Sequence, residues 1–190
     1  MKQVTAILLG AGQRGAEAYA SYALDYPNEL KFVAVAEPRA DRREEFAKLH
    51  DIAPQNAVES DMELLNRPKM ADCVLICTQD QMHYEPVTMA LQRGYHVLCE
   101  KPMSPKKEEI IQMGMLAEKY NRVLAICHVL RYSSFYTKLK ELLDSGKIGK
   151  LMSIQGDGIS RVLASCTQLC KRKLEKCKRI QPNDPAEVLP

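Results

Sequence analysis

Four groups of residues have types and spacings that can do chemistry. Gly10-Ala11-Gly12-Gln13-Arg14-Gly15 shows the G-x-G-x-x-G spacing where an apolar run ends and a helical pattern begins. The missing side chains define what each glycine does. Gly10 permits a tight turn, Gly12 lets a pyrophosphate reach the backbone, and Gly15 lets the helix pack close to the strand. Gln13 and Arg14 lie in the same turn, ahead of a helix whose free N-terminal N–H groups and partial positive charge favour phosphates. Glu37 ends the next apolar run, where a carboxylate accepts hydrogen bonds from the adenosine ribose hydroxyls and repels a 2′-phosphate. Arg39, Arg42 and Arg43 follow it, and read either as a solvated helix start or as arginines that accommodate a 2′-phosphate. The expected cofactor is therefore NAD, with NADP as the alternative.

Thr78 and His83 end and follow a third apolar run, and Glu100-Lys101-Pro102 follows a fourth. In an open α/β sheet the carboxyl ends of the strands form the rim where ligands bind. Thr78 and His83 are candidates to line it. Equally, Asp80 reads as a helix N-cap and His83 as a first-turn surface residue. Lys101 is the candidate catalytic group: beside a nicotinamide, an ammonium donates to a substrate oxygen and relays its proton, with Glu100 placed to orient or tune it. A surface charge pair ahead of a helix explains the same two residues.

The elements that must position these groups alternate regularly. Strand-like runs cover Val4–Leu9, Lys31–Ala36, Asp72–Cys77, His96–Cys99 and Val123–Cys127. Helical patterns fall between them over Gly15–Asp25, Ala40–His50, Ser60–Asn66, Tyr84–Arg93 and Pro105–Tyr120. This alternation predicts an α/β fold with a doubly wound, Rossmann-like parallel sheet, and the unbroken apolar strands predict cover on both faces. Ser60 with Glu63 has the capping-box spacing, Ser104-Pro105 reads as an N-cap and N1 pair, and Gly94 sits where a helix end wants a left-handed residue. Dinucleotide binding is expected of residues 1–130. Phe135–Leu143, a glycine turn and a strand beginning at Leu151 open a second, α+β domain over 131–156.

Composition excludes several classes. The chain has 190 residues, 46% of them hydrophobic and 27% charged, an ordinary balance for a globular protein, and its net charge of +3 is too small to argue for nucleic acid or an anionic membrane. No apolar run approaches the roughly 20 residues of a membrane span, and the first run leads directly into the glycine turn, so a cytoplasmic protein is expected. The cysteines number seven and form no even framework. Cys73, Cys77, Cys99 and Cys127 lie in apolar runs and read as buried packing residues, not as a metal site.

Taken together, these motifs resemble the cofactor domain of the glucose–fructose oxidoreductase and inositol dehydrogenase (Gfo/Idh/MocA) family. The matching residues are Gly10–Gly15, Glu37, Thr78 with His83, Gly94-Tyr95-His96-Val97, Glu100-Lys101-Pro102-Met103, His128–Tyr132 and Gly146-Lys147-Ile148-Gly149. Gln79 and Asp80 depart from the Pro and Asn common there. The resemblance implies an NAD(P)-dependent oxidoreductase acting on a sugar, polyol or related hydroxy compound. It further implies that Lys101 is the active-site lysine and that full-length members are often homo-oligomeric. A nucleotide-binding fragment without catalysis is the alternative, because the family's substrate domain would extend well past Pro190.

Residues 157–190 lose every apolar period and carry Cys166, Cys170, Cys177 and a basic run, which predicts disorder. With suitable synonymous codons, the frame one base along Gln181–Pro190 reads Ser-Pro-Met-Ile-Leu-Gln-Lys-Cys-Cys, which is similar to the start of the family's substrate domain. The chain after about Gln155 is thus expected to be an out-of-frame reading. Sequencing the gene checks it, and an intact frame whose shifted reading bears no likeness to the family overturns it.

Overall fold

The computed structural model describes residues 2–153. Within the compact unit that runs to Thr137, six strands form one sheet: β1 (Val4–Leu9), β2 (Leu30–Ala36), β3 (Ala57–Val58), β4 (Cys73–Ile76), β5 (His96–Cys99) and β6 (Leu124–Ile126). Their order is β3-β2-β1-β4-β5-β6, and every pairing is parallel. The expected doubly wound sheet is therefore present, with β3 added at its edge. Two residues are too short a run to show any periodicity.

Successive side chains of a strand point to opposite faces, and here both faces are covered. From β1, Ile7 and Leu9 enter a core with Leu64, Leu65, Val87, Leu91 and Met113. Ala6 and Leu8 enter the other core, with Ala20, Ala23, Phe32 and Phe46. Helices cover both faces: Ala23 of α1 (Ser21–Asp25) and Phe46 of α2 (Ala40–Leu49) lie on one, and α3 (Asp61–Leu65), α4 (Tyr84–Gln92) and α5 (Lys107–Lys119) supply the partners on the other. A sheet sandwiched this way explains the unbroken apolar strands. Among the described residues, no helix is long and apolar enough to cross a membrane.

Local structure departs from expectation at four places. The single helix expected over Gly15–Asp25 is two pieces, a π-helical turn over Gln13–Tyr19 and then α1. Its wide turn closes by a bond from the Ala20 N–H to the Gly15 carbonyl, five residues back. The capping box at Ser60 is not formed: its hydroxyl makes no cap bond, and the Glu63 carboxylate pairs instead with Arg67 at 2.6 Å. The helix expected from Pro105 begins at Lys107 with Lys106 as its N-cap. There Ser104 accepts the Lys106 N–H at 3.0 Å and donates to Glu109. Leu151, Met152 and Ser153 form no strand. The rest of that expected strand, and the tail expected to be read out of frame, lie outside the described residues. Helix α6 (Ser134–Asp144) and the left-handed Gly94 (φ +80°) fall where expected.

Two glycines decide how the first turn packs. Gly10 has φ +89°, and a Cβ on it would lie 2.8 Å from the Cys77 carbonyl oxygen. A Cβ on Gly15 would lie 2.2 Å from the Gly10 carbonyl oxygen and 3.0 Å from a Leu8 methyl. Backbone cannot yield as a flexible side chain does. Gly15→Ala is expected to lower stability by roughly 2–4 kcal/mol in urea denaturation. Gly114→Ala is the control, since its Cβ would meet nothing within 4 Å in mid-helix, and it is expected to gain roughly 0.5–1 kcal/mol.

Candidate functional site

Strand order reverses between β1 and β4, so the carboxyl ends of these two strands flank a topological switch point. The sequence motifs converge on this rim. The glycine turn leaves β1, Glu37 leaves β2, Thr78 follows β4, and Glu100-Lys101 leaves β5.

The turn is held from below and from the side. The Gly10 N–H donates to the Ala36 carbonyl at 2.9 Å, and the Cys77 N–H donates to the Leu9 carbonyl at 2.8 Å. Glu37 is only 6% exposed. Its Oε2 accepts the Ala11 N–H at 2.8 Å and its Oε1 accepts the Arg39 N–H at 3.1 Å. The carboxylate thus joins the glycine turn to the end of β2, while keeping lone pairs for further donors. Of the three arginines, Arg39 pairs with Asp41, and Arg43 donates to the Glu37 carbonyl and pairs with Glu59. Only Arg42 reaches toward the turn, its guanidinium lying 3.6 Å from where a Gly12 Cβ would stand.

Gly12 differs from its neighbours. Its φ of −78° and ψ of −172° are open to any residue, and the flexible end of Arg42 is all that a Cβ would touch, at ordinary contact distance. The fold itself gives no reason for glycine there. A group approaching the backbone does. Gln13 and Arg14, at the start of the π-helical turn, are exposed beside it, whereas Gly15 is buried.

His83 is placed differently from either sequence reading. It is fully buried, with Nδ1 3.0 Å from the Pro102 carbonyl and Nε2 3.2 Å from the Thr78 carbonyl. It lines no surface. Instead the ring braces the turn after β4 against the turn that carries Lys101. Asp80 caps nothing, because the short turn of Asp80–Met82 has Gln79 as its N-cap and α4 has His83 as its own. The Thr78 hydroxyl is buried without a partner among the described residues.

Glu100 is buried too. Its Oε2 accepts the Lys101 N–H at 3.0 Å, and its Oε1 accepts the hydroxyl of Tyr19 from the π-helical turn. It therefore grips the lysine's backbone, while the Lys101 side chain is exposed and unpaired among the described residues. Tyr19 is invisible in the sequence, because an α-helical reading of Gly15–Asp25 assigns it no special direction. Burial and hydrogen bonds to Cys127 and Glu100 raise its phenol well above the usual range. The thiols behave as packing residues: burial pushes Cys73 up to about 11 and Cys99 up to about 12. Among the described residues, no cluster of three metal-ligating side chains occurs.

Comparison with known proteins agrees with this geometry. The profile of the oxidoreductase family described by its NAD-binding Rossmann fold, GFO_IDH_MocA, matches residues 4–128. D-glucoside 3-dehydrogenase of Escherichia coli K12 is 31% identical over 144 residues, which are 76% of this chain and 40% of that protein. Apo scyllo-inositol dehydrogenase from Lactobacillus casei superposes with a TM-score of 0.70 at 22% identity, over 78% of this chain and 44% of that one. An Agrobacterium radiobacter oxidoreductase in complex with NAD+, L-tartaric acid and magnesium superposes at 0.67 and 21% identity, over 78% and 42%. The chain thus spans about two fifths of the length of such relatives.

One acidic group of the rim is unmatched. Asp61, the first residue of α3, is half-buried and has no hydrogen-bond or ion-pair partner among the described residues. Burial, and then the charge of Glu37, push its carboxyl up to about 6. A carboxyl raised in the folded state favours folding while it is neutral, and that contribution fades as the pH rises from the unfolded value near 4 through about 6. Asp61→Asn removes the penalty of the charged form. It is expected to stabilise the chain by roughly 1–2 kcal/mol at pH 7.5, with little gain at pH 4.5, in urea denaturation at the two pH values.

Proposed function

The chain belongs to the Gfo/Idh/MocA oxidoreductase family through its NAD-binding Rossmann domain, and from that premise we propose that it is the cofactor half of a sugar or polyol dehydrogenase using NAD in preference to NADP. The observation that carries the reading is Gly12: the fold tolerates a side chain there, and a pyrophosphate would not. The backbone of Gly12 and the exposed Gln13 and Arg14 would hold the phosphates, with Arg42 in reach of the same turn. Glu37 would receive the ribose hydroxyls on its remaining lone pairs, and its charge disfavours a 2′-phosphate.

When bound, the nicotinamide ring supplies the carbon that takes or gives hydride. Everything else falls to side chains. Lys101 presents its ammonium at the rim, where it would donate to a substrate oxygen and carry the proton that leaves or joins it. Glu100 fixes the lysine's backbone from below through the Lys101 N–H, and Tyr19 fixes Glu100. His83 holds the Pro102 carbonyl of the same turn. These are positioning roles. The names of relatives, a glucoside dehydrogenase and an inositol dehydrogenase, support a polyhydroxylated substrate. Turnover and self-association belong to this proposal for the whole protein, and the free thiols of the rim strands support the reducing cytoplasm as its place.

Gly12→Ala separates the readings. It is expected to leave the urea midpoint within about 0.5 kcal/mol of the parent and to weaken NAD binding at least about tenfold in calorimetric titration. Unchanged binding overturns the dinucleotide reading. NAD binding by the 190-residue chain without turnover of a sugar and polyol panel assigns it the cofactor half alone, and turnover makes it a complete enzyme.

A further inference from the structure

The π-helical turn has one end beside Gly12 and the other against the support of Lys101. It starts at Gln13 and ends at Tyr19, whose hydroxyl donates to Glu100. Its width decides that reach. The Ala20 N–H bonds five residues back, to the Gly15 carbonyl, one residue further than in an α-helix. Without the extra residue Tyr19 would stand about 100° round the axis from its present direction. Such turns are rare and concentrate at functional sites, and here the bond to Glu100 is what the widening gains.

Glu100 depends on that hydroxyl. Ile76 pairs with Cys99, and Cys99 with Ile126. One residue further on, Cys77, Glu100 and Cys127 therefore stand in a row across three strands. Burial pushes both flanking thiols up, so neither offers Glu100 a charged partner. The Lys101 N–H serves Oε2 and the Tyr19 hydroxyl serves Oε1. Burial, and then the bonds to Cys127 and Glu100, also raise the Tyr19 phenol, which keeps its proton and remains a donor. The charge of Arg14 is felt at both thiols, so the cation at the start of the turn lies close to the same row.

Resting on the dinucleotide reading above, we propose that Tyr19 is a positioning residue that ties the placement of Lys101 to occupation of the phosphate site. Phosphates bound along Gly12, Gln13 and Arg14 hold the start of the wide turn. The turn holds Tyr19, Tyr19 sets the carboxylate of Glu100, and Glu100 sets the Lys101 N–H. The lysine is thus ordered by the phosphates before a substrate arrives, through the protein and not through the nicotinamide ring. His83 grips the same turn at the Pro102 carbonyl, which leaves the Glu100 side as the one that responds.

ADP is the probe, because it carries the diphosphate and the adenosine but no nicotinamide half that could touch Lys101. It is titrated into the full chain, with affinity read by calorimetry and the Lys101 backbone amide followed in 1H–15N spectra. Saturating ADP is expected to shift the Lys101 amide of the parent. Tyr19→Phe is expected to keep ADP binding within about fivefold of the parent, the low end of coupling between sites, and to lose most of the Lys101 shift. Glu100→Gln sets an N–H2 group where the carboxylate accepted a donor, and is expected to lose the shift in the same way. Urea midpoints show that each variant is folded. An unmoved Lys101 amide in the ADP-saturated parent overturns the coupling without recourse to a variant. A shift of equal size in either folded variant overturns it as well, and both results leave the dinucleotide reading standing. Binding of neither ADP nor NAD by the parent overturns that reading and the coupling with it.

Discussion

The rest of the structure depends on how closely backbone meets backbone at the end of β1. The Cys77 carbonyl and the Gly10 carbonyl each occupy space that a Cβ on Gly10 or Gly15 would need. No side chain separates β1, β4 and the start of the first helical segment there. The turn is consequently pressed onto the sheet at the point where strand order reverses. A looser junction would keep the same strands and helices but would spread the rim groups apart.

Two buried carboxylates bracket that junction, and they are satisfied in similar ways. Glu37 accepts N–H groups from Ala11 and Arg39, joining the glycine turn to the end of β2. Glu100 accepts the Tyr19 hydroxyl and the Lys101 N–H, joining the π-helical turn to the end of β5. A buried carboxylate without partners is costly, and one that is bonded on both oxygens acts as a rigid tie. Fixed supports of this kind keep a reacting geometry within the narrow tolerance that chemistry requires. The turn bearing Lys101 is thereby braced twice, by Glu100 and by His83 through the Pro102 carbonyl.

The fold is largely legible in the sequence because its signals are repeated: apolar runs, each followed by a helical pattern, leave few topologies open. The places of the glycine turn, Glu37 and Lys101 on the rim are legible because each stands just past the end of an apolar run. What escapes depends on contacts between distant segments. His83 reads as a surface or rim residue, since nothing local shows that carbonyls of Thr78 and Pro102 converge on its ring. The capping box at Ser60 fails because Arg67, one helical turn beyond Glu63, competes for the same carboxylate. The π-helical turn hides for a related reason. Its bonds reach five residues back, as from the Ala20 N–H to the Gly15 carbonyl, where an α-helix reaches four, and apolar periodicity cannot register a single residue's shift.

Gly12 and Asp61 share a property that several other rim residues lack. Gly10, Gly15, Glu37, Glu100 and His83 each have a sufficient structural reason: a backbone contact, a tight turn or a bonded ring. Those reasons would hold in a protein that bound nothing. Gly12 occupies a conformation open to any residue, at the entropic disadvantage of glycine. Asp61 keeps a half-buried charge beside a second carboxylate, with no partner among the described residues. Both positions lower stability without a structural return within the described residues, and such departures from local consistency concentrate at functional sites. They follow β1 and β3, with Glu37 at the end of β2 between them, so the two positions that the fold does not explain share one side of the rim.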